Sequence, residues 1–123
     1  MKKFLLLVSI VIATVINAQE KITTSNFKTK IQKGVTVVEF NAPFNKSNNF
    51  KDWKQLEHCE YYTVCIHDSP ELKKKHKIIS FPTLIIFRNG FPEKKFKANI
   101  MLELDATVQE IQEAVDELYL DKF

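Results

Sequence analysis

The run Val35-Thr36-Val37-Val38-Glu39-Phe40 constrains this chain most. Its β-branched and apolar residues fall on both alternating faces, so a strand made from it has to be covered on both sides. That describes a central strand. A second run, Thr83-Leu84-Ile85-Ile86-Phe87, is equally apolar and leads into Asn89-Gly90, a hairpin-type turn. Two such strands ask for helices on both faces of one sheet, and the rest of the pattern supplies them.

Residues 19–23 are too short for more than an edge strand. Ser25 is placed to cap a helix through Lys33, with Phe27 and Ile31 on one face and Gly34 just past the end. Asn45 to Glu57 reads as a loop entering a short helix that spaces Phe50, Trp53 and Leu56 three residues apart. Tyr61–His67 is a strand. Ser69-Pro70 opens a helix to about His76, with Pro at the first helical position. Glu93–Ala98 is the return strand, Phe96 inward and lysines outward. Thr107 with Glu110 makes a capping box for a last helix whose buried stripe is Val108, Ile111, Val115 and Leu118. The predicted order is β-α-β-α-β-α-β-β-α, an α/β fold with a central mixed sheet. A parallel βαβ half precedes an antiparallel C-terminal hairpin, and helices flank the whole.

Ahead of this domain, Lys2 and Lys3 precede an apolar run from Phe4 to Ile16, and Asn17-Ala18-Gln19 offers a small residue for cleavage. That is the layout of a secretory signal peptide over residues 1–18, followed by one domain over 19–123 and export to a periplasm or the extracellular space. A retained anchor is the competing reading. A spanning helix, however, needs about 20 apolar residues, and this run has thirteen. No Cys follows the run, so lipid attachment is not indicated, and no membrane contact is expected after cleavage.

Charge and glycine usage exclude whole classes of function. Loss of Lys2 and Lys3 lowers the formal charge from +3 to +1, and no Lys/Arg stripe interleaved with aromatics offers itself to a nucleic acid. The Lys73-Lys74-Lys75-His76-Lys77 run reads as a solvated helix end. The only two glycines, Gly34 and Gly90, serve as punctuation, which leaves no glycine-rich loop for a nucleotide cofactor.

The order of elements, with Val38-Glu39-Phe40, Ala42 and Phe44 early and Phe81-Pro82-Thr83 followed by Asn89-Gly90 later, resembles the thioredoxin family over nearly the whole mature chain. The resemblance implies a Cys-x-x-Cys at the end of the first central strand and a cis-proline beside it. Here those four positions are Asn45, Lys46, Ser47 and Asn48. An amide cannot attack a disulfide sulfur, because that reaction needs a thiolate. What Asn and Ser can do is cap a helix. The segment from Asn45 to Tyr61 is also shorter than the family norm, which implies a trimmed second helix.

The resemblance further implies a shallow groove at Pro82 that holds an extended peptide through main-chain hydrogen bonds. Phe44, Phe81, Pro82 and Thr83 would line it, with Phe91 a further apolar candidate. Glu39 matches the family's buried acid; burial should raise its pKa, and Thr63 on the adjacent strand is a candidate partner. The leading expectation is therefore an exported, redox-inactive protein- or peptide-binding module. An oxidoreductase or isomerase working through Cys59, taken as the exposed thiol, is the alternative, and a structural subunit of a larger assembly a third.

Cys65 reads as a small core residue. No Cys59–Cys65 disulfide is expected, since six strand residues span about 20 Å and bridging needs Cα atoms within about 7 Å. Cys65, His67, His58 and His76 do not assemble the four ligands of a typical zinc site. No metal or cofactor is expected. The sequon Asn45-Lys46-Ser47 is read as chance.

Overall fold

The computed structural model describes residues 19–120; the signal-peptide reading falls on residues outside that range. The elements are β1 (Glu20–Lys21), α1 (Thr24–Lys30), β2 (Val35–Asn41), two 3₁₀ turns (Pro43–Asn48 and Lys51–Gln55), β3 (Glu60–Cys65), α2 (Pro70–Lys75), β4 (Thr83–Arg88), β5 (Phe91–Phe96) and α3 (Val108–Leu120). They form one five-stranded sheet in the order β1-β3-β2-β4-β5. β1, β3 and β2 run parallel, while β4 is antiparallel to both β2 and β5. This is the mixed sheet expected, with the parallel half leading.

The alternation along β2 and β4 shows why they are central. Val38, Phe40, Ile85 and Phe87 point to the side carrying α1 and α2, where they pack with Ile22, Phe27, Ile31 and Leu72. Val37, Leu84 and Ile86 point to the other side and meet Phe50, Ile111 and Val115. Every residue of β2 is buried. Each such fully buried aliphatic side chain contributes about 2 kcal/mol.

The caps differ from expectation in two places. The residue before α1 is Thr23 rather than Ser25, and its N–H donates to Asn26 Oδ1 at 2.8 Å. α1 also ends at Lys30, three residues earlier than expected. Ser69 precedes α2 as foreseen but does not cap it: its buried Oγ accepts from the Thr24 N–H at 3.1 Å, satisfying an orphan donor in the first turn of α1. The Thr107–Glu110 box forms as read, with Glu110 N donating to Thr107 Oγ1 and Thr107 N donating to Glu110 Oε1, each at 3.1 Å.

Gly34 has φ +71°, a left-handed conformation that a side chain strains. Its N–H donates to Asn89 Oδ1 and its carbonyl accepts from Asn89 N, both at 2.9 Å. Asn89 and Gly90 have φ +51° and +88°, as a tight hairpin needs. One glycine and one asparagine thus clasp the α1–β2 turn to the β4–β5 turn. Both lie at the end of the sheet opposite Pro82.

Candidate functional site

β2 and β3 both end beside residues 42–50, and β4 begins just after the cis Phe81–Pro82 peptide. The ends of β2 and β4 meet at Asn45. Its side chain is 3% exposed. The Asn45 Nδ2 donates to the carbonyl of Phe81 at 2.9 Å, to that of Leu102 at 3.2 Å and to Asn41 Oδ1 at 3.2 Å. Its Oδ1 accepts from Asn48 Nδ2 at 2.9 Å. Asn41, the last residue of β2, also receives the Ala42 N–H on its Oδ1 at 2.9 Å and donates from Nδ2 to the Asn45 carbonyl at 3.1 Å and to Asn49 Oδ1. The amide cluster therefore ties three loops together.

This corrects the capping expectation. Pro43–Asn48 is a 3₁₀ turn whose N-cap is Ala42, and no side chain caps it. Asn45 instead spends its donors on two distant carbonyls. Lys46 and Ser47 are exposed, and the Ser47 carbonyl accepts from Lys51 Nζ at 2.8 Å. Two 3₁₀ turns stand where a short helix was expected.

The groove residues divide. Phe44 is 67% exposed and its ring meets half-buried Phe81 edge-on, centroids 5.9 Å apart. Pro82 and Thr83 are buried, and Thr83 Oγ1 donates back to the Ser80 carbonyl at 2.7 Å. The Phe81 carbonyl already holds the Asn45 amide. What faces solvent is thus an aromatic rim, not an open main-chain edge. Phe91 does not belong to it: Phe91 pairs with Arg88 at the far end of β4.

Sequence reasoning missed the 98–104 segment. Asn99 folds it by accepting the Met101 and Glu103 N–H groups on its Oδ1 at 2.8 and 3.1 Å. Leu102 has φ +62° and presents its carbonyl to Asn45. Ile100 and Met101, at the tip, are 100% and 70% exposed. The available signal was an apolar pair lying between a strand and a capping box.

Glu39 is 1% exposed. Burial pushes its carboxyl above the usual range, opposed by hydrogen bonds from the Tyr61 hydroxyl and the Phe50 N–H and by the Lys51 charge. Tyr61 donates to Oε1 at 2.6 Å and Phe50 N to Oε2 at 3.1 Å. Thr63 lies opposite Glu39 in register, yet the longer Tyr61 side chain reaches the acid. Glu39 thereby anchors Phe50 at the head of the second 3₁₀ turn.

The two thiols are free and both half-buried, which fits neither the exposed Cys59 nor the core Cys65 expected from the sequence. Cys59 sits just before β3, half-buried against the α3 side, and burial, aided by Glu60 and Asp116, pushes its thiol up to about 12. Cys65 closes β3 opposite Asn41 and is half-buried, not a core residue. It lines a 390 Å³ cleft with Lys21, Lys46 and Thr63. Among the described residues, no group of three or more His, Cys, Asp or Glu is placed to hold a metal ion. No helix there is long and apolar enough to cross a membrane.

No family model matches this chain, and neither does any curated protein sequence. Solved structures do. A designed protein superposes with a TM-score of 0.66 at 20% identity, over 82% of this chain and 97% of its own. Mitochondrial thioredoxin 3 from Saccharomyces cerevisiae, in its oxidized form, gives 0.62 at 15% identity over 81% and 95%. A cysteine-to-serine mutant of the Entamoeba histolytica thioredoxin gives 0.58 at 17% over 81% and 99%. Likeness at these identities is a statement about architecture: the chain has the thioredoxin fold.

Proposed function

We propose that this thioredoxin-fold protein is exported, performs no dithiol–disulfide exchange, and binds an extended protein segment at the rim formed by Phe44 and Phe81. The observation that carries the reading is Asn45. It occupies the position where the resemblance implies the attacking cysteine, and its amide is buried and hydrogen-bonded to Phe81 and Leu102. No proton on that side chain can be lost to make a nucleophile, and its donors are committed.

The rim argues for binding. Phe44, Ile100 and Met101 are large apolar side chains left open to solvent, and the Asn45 hydrogen bonds bring their segments together. Large apolar side chains left exposed on joined segments suit an interaction site. Because the Phe81 carbonyl is engaged, affinity has to come chiefly from apolar side chains docking against Phe44 and Phe81. The oxidoreductase alternative through Cys59 lacks a thiolate near neutral pH.

Two measurements test the reading. Disulfide reduction of insulin should show no turnover; any turnover abolished by Cys59→Ala or Cys65→Ser overturns the claim. An array of extended apolar peptides should bind the wild type, and Phe44→Ala should weaken capture about tenfold. Unchanged capture excludes the rim and favours general packing on a larger assembly.

A further inference from the structure

At the opposite end of the sheet from the rim, a cleft of ≈ 750 Å³ opens between α1, the end of α2 and the β4–β5 turn. Its apolar wall is Phe27, Ile31 and Phe91, and Lys28 and Lys75 line it as well. Phe91 is 71% exposed, a large aromatic that nothing in the described chain covers. Thr29, Gln32 and Asn89 add polar lining, and clefts of about 300–1,000 Å³ are the usual hosts of small molecules. No carboxylate is among the residues lining it.

His76 also lines the cleft. Its ring lies 5.4 Å from Phe27, 5.8 Å from Phe40 and 5.5 Å from Phe87. Its Nε2 is buried and has no hydrogen-bond partner among the described residues. Burial, with Lys75 and Lys95 nearby, lowers its pKa, so near neutral pH the imidazole belongs to the apolar lining. The positive charge at the cleft is then that of the two lysines.

We propose that this cleft binds a small monocarboxylic acid with an apolar body, of the size of a medium-chain fatty acid. The hydrocarbon lies against Phe27, Ile31 and Phe91, and the carboxylate meets Lys28 and Lys75. Charge complementarity selects the anion: a cationic amphiphile of the same length has no partner here. The site is separate from the Phe44 rim, because Phe91 and Pro82 flank opposite ends of β4.

Decanoate titrated into the full chain, followed by amide NMR shifts, tests the proposal. Saturable shifts should centre on Ile31, Gly90 and Phe91. Lys28, Lys75 and Phe91 are all exposed, so their substitution leaves the fold intact. Lys28→Glu with Lys75→Glu should weaken decanoate about tenfold and leave decanol unchanged, whereas Phe91→Ala should weaken both about fivefold. The proposal fails if no saturable shift develops up to about 1 mM. It fails equally if decyltrimethylammonium binds as well as decanoate, or if the shifts map to the Phe44 rim.

Discussion

The two ends of β3 carry opposite combinations of chemistry. At its C-terminal end the strands open onto a loop cluster whose centre is Asn45, an amide with all donors engaged. Just before its N-terminal end a thiol is present, Cys59, but burial and two neighbouring carboxylates hold it protonated. The first end has an amide at its centre, and its thiol, Cys65, lies aside in the cleft with Lys21 and Lys46; the other end has a thiol whose surroundings keep it protonated. Reactivity needs residue and environment together, and neither Asn45 nor Cys59 combines them.

Alkylation breaks or sharpens that contrast most directly. At pH 8 a thiol with a pKa of about 12 is ionised in roughly one molecule in ten thousand. Iodoacetamide should therefore modify native Cys59 at least about a hundredfold more slowly than the same residue in urea, by mass spectrometry of timed quenches. Fast native labelling of Cys59 would dissolve the comparison.

The amide cluster comes next. Asn45→Ala strips hydrogen bonds from the buried carbonyl region of Phe81 and Leu102 and should cost about 3 kcal/mol in urea unfolding. A loss below about 0.5 kcal/mol would mean the cluster is decoration. At the far end Gly34→Ala forces a side chain into a left-handed backbone, with an expected loss of about 1 kcal/mol.

Glu39 has the smallest effect, and its sign is definite. Its folded pKa is raised, so its favourable contribution is complete below the unfolded carboxyl value near 4.5 and is lost as pH rises through the folded value. Glu39→Gln does not titrate. Thermal melts from pH 4 to pH 8 should thus show the variant gaining on the wild type as pH rises. A variant that loses ground to the wild type as pH rises would contradict the raised pKa of Glu39.

Much of this was legible in the sequence. The central strands, the order of elements, the left-handed glycines and the Thr107–Glu110 box follow from local patterns of apolar spacing and turn chemistry. The absence of cysteine from residues 45–48 was legible too. Partner choice among polar residues was not. Asn45 was expected to cap its own turn, Ser69 its own helix, and Glu39 to bond Thr63; each found a different partner. Cys59 and Cys65 are both half-buried, neither exposed nor core as expected, because their exposure depends on what α3 and residues 41–46 bring against them.

What the sequence alone determined is where strands and helices run and which reactive groups the chain owns, since hydrophobic period and side-chain identity are properties of neighbours along the chain. Tertiary structure decided which of those groups are buried, neutral or bonded. Asn45 meets carbonyls 36 and 57 positions away, and Ser69 meets a helix 45 positions earlier. Hydrogen bonding and desolvation act over a few ångströms of space, so residues that distant in sequence become each other's environment only when the sheet closes.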